Sequence, residues 1–176
     1  MMRHSVPSFS GRARQGGFTL IEAALTIVIV GVGIVSTFEL FASLTRQNAS
    51  ASRMTTAMFL ANNVQEMMAD LPFSDPSGSG FGTEESAAGV SAFDDVDDFN
   101  NWKSDPGAPI SGQRVQIPEL SKFAQRVTVT CVSTEAPTSN QIGTEAERVT
   151  VRVYYGWSAS NPGVELYKMS WVVMRR

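Results

Sequence analysis

Histidine and cysteine are nearly missing from this 176-residue chain, which has one of each, His4 and Cys131. A single cysteine excludes an intrachain disulfide, so a folded domain here is held by packing alone or by a metal. Beyond His4 there is no imidazole, which excludes a Ser-His or Cys-His catalytic pair and a His-ligated zinc site in the rest of the chain. No glycine-rich phosphate loop follows a strand pattern. Cys131 lies in the alternating run Val127-Thr128-Val129-Thr130-Cys131-Val132, which reads as a thiol packed in a sheet rather than a reactive one. Two further absences are positional. No acid precedes Glu22, and no basic residue lies between Arg14 and Arg46. No proline interrupts the chain from Pro7 to Pro72, which leaves room for one very long helix.

What fills that proline-free space is apolar. From Ala23 to Phe38 no residue is charged. As a helix, residues 18–38 span roughly 31 Å, about one bilayer core. The basic flank carrying Arg3, Arg12 and Arg14 predicts a cytoplasmic N-terminus and an outward C-terminal side. A secretory signal would place small residues after the apolar run, whereas Gly16-Gly17 precede it. A plain anchor would have no use for Glu22, because a carboxylate inside a membrane segment costs about 2.5–3.5 kcal/mol on insertion scales and needs a partner.

Gly17-Phe18-Thr19-Leu20-Ile21-Glu22, after a short basic leader, resembles the type III signal of type IV prepilins and type II secretion pseudopilins. The resemblance implies that Gly16, Gly17 and Phe18 form a processing site. A membrane prepilin peptidase would cut between Gly17 and Phe18, and the new Phe18 amine would be N-methylated. It implies that Glu22 pairs with the Phe18 amine of a neighbouring subunit, which would supply the cation that a buried carboxylate requires. Its partners would be other pilin or pseudopilin subunits, the peptidase and an inner-membrane assembly platform. The protein would be single-pass in the inner membrane with a periplasmic head, and later part of a filament. Loss of the leader removes three arginines and leaves 11 basic residues against 17 acidic, a net charge of −6, which disfavours nucleic acid as a partner.

The pattern predicts an α+β fold: one long helix laid on a small antiparallel sheet. This matches the pilin-like architecture that the resemblance implies. The expected segments are a leader at 1–17, a transmembrane helix at 18–38, an amphipathic helix at 39–72, a Gly/Ser/Asp-rich loop region at 73–112 and a sheet at 113–176, with 39–176 forming one head. Leu40, Leu44, Ala51, Met54, Met58, Ala61, Met68 and Leu71 form the predicted apolar stripe, with Arg46, Asn48, Ser52, Arg53, Asn62 and Asn63 on the polar face. Alternation predicts strands over 123–133, 148–155 and 164–173, with a short edge strand over Arg114–Pro118. Val127, Val129, Cys131, Val149, Val151 and Val153 are expected to face the helix.

Inside the loop region, Asp94, Asp95, Asp97 and Asp98 are bracketed by Phe93, Phe99 and Trp102. The aromatics favour burial and the acids repel one another. A hard cation such as calcium, held by the four aspartates, would relieve that conflict. So would capping of a helix N-terminus, or pairing with Arg114, Arg126 or Arg148. This segment, with Ala57-Met58-Phe59-Leu60-Ala61, Glu66 and Leu71-Pro72-Phe73, is similar to minor pilins of the V type and to D-subunit minor pilins of mannose-sensitive haemagglutinin pili. The expected function is therefore a non-enzymatic minor pilin at a filament tip or in priming, with a secretion pseudopilin as the alternative. A second alternative is an anchored adhesin using Trp102, Trp157, Trp171, Tyr154, Tyr155 and Tyr167, although core packing is the expected use of most of these rings.

Overall fold

The computed structural model describes residues 17–73, 75, 81–82, 89–104, 107–133, 146–158 and 160–175. Its elements are one α-helix, α1 (Leu20–Met68), two 3-10 turns (Asp97–Phe99 and Pro118–Leu120), and three strands, β1 (Phe123–Val132), β2 (Ala146–Tyr155) and β3 (Val164–Met174). This is the α+β, pilin-like architecture expected. The chain divides into two compact units, residues 1–47 and 48–176.

In the first unit the helical residues are exposed throughout. Helix α1 is long and apolar enough to cross a membrane, with a window of mean hydropathy 2.2. Several of its hydroxyls are satisfied within the helix. The hydroxyls of Thr26, Ser36 and Thr37 donate to the carbonyls of Glu22, Val32 and Gly33 at 2.7, 3.0 and 2.8 Å, so little unpaired polarity faces an apolar solvent.

In the second unit α1 buries the seam Ala57, Leu60, Ala61, Val64, Met67 and Met68. The predicted stripe thus holds at Ala61, Met68 and the half-buried Leu71 and is out of phase before them. Ala51, Met54 and Met58 are exposed, whereas Ala57, Leu60 and Val64 carry the contact. Alanines at 57 and 61 let the helix lie close on a sheet of valines, which the bulkier methionines would prevent. Asn63, expected on the polar face, is buried because the loop before β1 crosses the helix there. A Cβ on Gly112 would lie 3.7 Å from the Asn63 carbonyl and 2.6 Å from Glu66 Oε2. The helix stops at Met68, short of the expected Leu71, because the ring of Pro72 would collide with the Met68 carbonyl. The Leu71 N–H closes the turn on that carbonyl at 3.3 Å.

The sheet is antiparallel in the order β1-β2-β3, with Val129 opposite Val149 and Val149 opposite Trp171. Val127, Val129, Val149, Val151 and Val153 are buried as expected, while Cys131 is half-buried. The edge strand expected at Arg114–Pro118 does not form. Gln116 makes a single bridge to Ile110, and Pro118, lacking an N–H, turns the chain into a 3-10 helix. Residues 102–104 cover the β1 edge instead, through Ser104 N–H to Gln125 O (2.9 Å) and Val127 N–H to Trp102 O (2.8 Å).

One polar side chain sits in the middle of this apolar contact. Gln125 on β1 is fully buried. Its Nε2 donates to Leu60 O of α1 (2.8 Å) and to Ile110 O (3.1 Å), and its Oε1 accepts the Ile110 N–H (2.8 Å). The amide ties helix, loop and sheet together with its hydrogen-bonding capacity nearly filled. Replacing Gln125 with Leu keeps the bulk and strands the Ile110 N–H and two carbonyls. We expect a loss of about 3 kcal/mol in urea unfolding followed by tryptophan fluorescence.

Candidate functional site: the helix N-terminus and the buried acidic segment

Thr19 starts α1. Its Oγ1 accepts the Glu22 N–H at 3.3 Å, and its carbonyl accepts the Ala23 N–H at 3.1 Å. Threonine at the N-cap followed three residues later by glutamate is a capping-box pattern. Thr19 is the residue that the sequence reading missed, although Thr19-Leu20-Ile21-Glu22 was there to signal it. Glu22 therefore occupies the first turn, where a negative charge suits the helix dipole. No hydrogen bond or ion pair reaches its carboxylate among the described residues. Phe18 and Glu22 are exposed, as is every residue from 17 to 55. Gly17 is described, and a Cβ there would meet nothing; Gly16 and the basic leader lie outside the described residues. Gly31 and Gly33 also face open space, so no contact within the chain requires them.

The acidic segment is more deeply placed than its composition suggests. Phe93 and Phe99 are buried and meet edge to face at 5.0 Å, and Phe99 meets the half-buried Trp102 at 6.1 Å. The segment is pinned to α1's end by Val96 N–H to Pro72 O (3.2 Å) and to β1 by Val129 N–H to Asn100 Oδ1 (3.3 Å). Asp94 is exposed, but Asp95, Asp97 and Asp98 are buried. Much of their bonding is to backbone. Asp98 Oδ2 accepts the Asp94 N–H (2.9 Å), Asp95 Oδ1 accepts the Asp98 N–H (3.1 Å), and Asp97 Oδ2 accepts the Gly82 N–H (2.8 Å). Asp95 thus bonds the backbone of the 3-10 turn, but the N-cap position is Val96, which makes no side-chain cap bond, so the capping open from the sequence does not form there. Among the described residues, no three carboxylate, histidine or cysteine side chains gather where they could hold a metal.

Arg114 does not neutralise the aspartates. Its Nη1 donates to the carbonyls of Phe93 (2.7 Å), Val90 (3.1 Å) and Ser91 (3.3 Å), so it holds the loop by its backbone. Arg126 lies 4.9 Å over the Tyr154 ring and Arg148 Nη2 donates to Thr130 Oγ1, both on residues of the other sheet face. Of the aromatics considered for ligand binding, Tyr155 packs edge to face on Phe123 at 5.0 Å with Arg53 over its ring, and Tyr167 and Trp171 pack on the core. Tyr154 donates to Glu165. Burial, and then the negative charge of Glu165, raise its phenol above the usual range. Trp102 and Trp157 are half-buried, not displayed.

Residues 12–38 match the family model described as the prokaryotic N-terminal methylation motif. That motif is the type IV pilin signal, and the match supports a type IV pilin or pseudopilin. It covers Arg12, Arg14, the expected Gly17–Phe18 processing step, Glu22 and the apolar run, and it does not extend into the head. No curated protein and no solved structure matches the chain.

The cap has a measurable consequence. Thr19→Val should cost about 1 kcal/mol at the first turn of α1. Hydrogen exchange of the Glu22 amide in detergent micelles should then quicken about fivefold, while amides in the middle of the helix remain unchanged.

Proposed function

We propose that this protein is a minor subunit of a type IV filament, acting by polymerisation rather than turnover. One observation carries the reading. Glu22 stands within the methylation motif, directly before the uncharged run from Ala23 to Phe38, and no hydrogen bond or ion pair reaches its carboxylate among the described residues. A carboxylate in that setting needs a cation from outside. The new amine at Phe18, freed by hydrolysis of the Gly17–Phe18 peptide bond in a neighbouring subunit, is a cation of suitable size and position.

In this reading the apolar part of α1 first holds the protein in the inner membrane. The leader stays on the cytoplasmic side, and the head, residues 48–176, lies in the periplasm. Peptidase cleavage and methylation of the Phe18 amine then release the helix to join others in the filament. The hydroxyl-to-carbonyl bonds of Thr26, Ser36 and Thr37 serve the helix equally in lipid and among packed helices. The buried aspartates and the absence of a disulfide distinguish the head, and we assign it a place at the filament tip or in priming. A secretion pseudopilin would use the same N-terminal chemistry. Mass spectrometry of native filaments separates the two by the companion subunits recovered.

Gly17→Ala should abolish maturation, read as retention of the leader by intact-mass spectrometry of the membrane fraction. Unchanged cleavage would refute the processing site. Glu22→Ala should leave cleavage intact but lower incorporation into filaments at least tenfold by immunoblot of sheared filaments. Normal incorporation would refute the pairing.

A further inference from the structure

The head contains three carboxyl groups that burial should not permit to be ionised together. Asp95 and Asp97, flanking Val96, and Glu147 on β2 are each at most 4% exposed. Among the described residues, no hydrogen-bond donor reaches Asp95 Oδ2, Asp97 Oδ1 or Glu147 Oε2. Glu147 does not belong to the aspartate run. It comes from the opposite layer, on the sheet face that carries Val149 and Val151, and is paired across the ladder with Cys131.

The charged and titratable groups around them do not supply a counter-ion. No ion pair to Asp95, Asp97 or Glu147 occurs among the described residues. On its own segment Asp98 is a further acid. On β1 the neighbour is Cys131, whose thiol is raised by burial and then by Glu147 and Asp97. Around the end of α1 the nearest acids in sequence, Glu66 on the helix and Asp70 in the turn after it, are exposed. Arg148 follows Glu147 but belongs to the other sheet face, and Arg114 is committed to backbone carbonyls.

We propose that the head folds around neutral carboxyl groups, with Asp95 sharing a proton with Asp97 and Glu147 protonated, so that the head is a proton-linked unit that tightens in acid and loosens as the pH rises. A carboxylate deprived of water and of a cation costs far more than a carboxylic acid in the same place. Asp97 already accepts the Gly82 N–H through Oδ2, which suits the anion. Asp95 and Asp97 are two positions apart and each has a buried oxygen without a donor, so a proton held between them would give those oxygens a partner. The electrostatics agree in direction. Burial, then the hydrogen bond to Asp97, push Asp95 up to about 8. Burial, then the charge of Asp97, push Glu147 up to about 8.

The direction of the pH effect follows. Both groups bind a proton more tightly folded than unfolded. The penalty is therefore absent below the ordinary carboxylate range, near pH 4, and grows until about pH 8, above which it is constant. Because Val96, between the two aspartates, is tied to Pro72, and Asn100 to Val129, ionisation should first release the 93–102 segment from helix end and sheet.

The test uses the full chain in detergent micelles. All three tryptophans, Trp102, Trp157 and Trp171, lie in residues 48–176, so their fluorescence follows the head alone. Thermal melting should give a Tm at least about 5 °C higher at pH 5 than at pH 8.5. Glu147→Gln, which imitates the neutral acid, should raise the Tm at pH 8.5 and flatten the profile, whereas Asp94→Asn, at the exposed acid, should leave it unchanged. Infrared spectra at pH 7 should show a protonated carboxyl band that weakens in Glu147→Gln and in Asp95→Asn. A flat wild-type profile with no such band would overturn the proposal. So would restoration of the pH 8.5 Tm by millimolar calcium, which would make the cluster a cation site instead.

Discussion

The head depends on one amide. Gln125 stands on the sheet and bonds both to α1 and to the loop before the sheet. A helix lying on valines has few directional contacts, and apolar packing alone tolerates sliding. The amide removes that freedom, because a shift of the helix by one residue would move Leu60 O away from Nε2 and leave both buried and unpaired. The alanine seam at 57 and 61 brings the backbone near enough for the contact, and the contact fixes which face of α1 is buried.

The two units handle buried polarity in opposite ways. In residues 20–38 several hydroxyls fold back onto their own helix, so the surface offered to lipid or to other helices carries no charge apart from Glu22. That uniformity gives Glu22 its weight. In the head, polar groups are brought inside and paired with backbone: Asp98, Asp97 and Asp95 with N–H groups, and Arg114 with three carbonyls. Residues 89–104 hold their form without a strand because these side chains supply the partners that a ladder would otherwise provide. The oxygens left without donors there are the ones that protonation would satisfy.

Much of the fold was legible. The strands lie within two residues of their expected ends, since alternation over ten residues has only one good phase. The methylation motif was legible because its chemistry is local: glycine, phenylalanine, a capping threonine and a glutamate within six positions. The helix face was not. Methionines at 54 and 58 are the more hydrophobic choice for a seam, and only the close approach of α1 to the sheet selects alanines 57 and 61. The fate of the aspartates was half legible. Phe93 and Phe99 pull the segment inward as their composition implies, but a charged run carries no sign that its members will be buried.

The sequence by itself determined the N-terminal chemistry and the layer architecture, because both rest on short-range spacing and on the absence of proline, histidine and a second cysteine. Tertiary structure alone decided which side of α1 is covered, that Gln125 is a core residue, and that Glu147 joins the field of Asp97 from the opposite layer. Each of these depends on residues about fifty or more positions apart in the chain, and no local pattern encodes such a meeting.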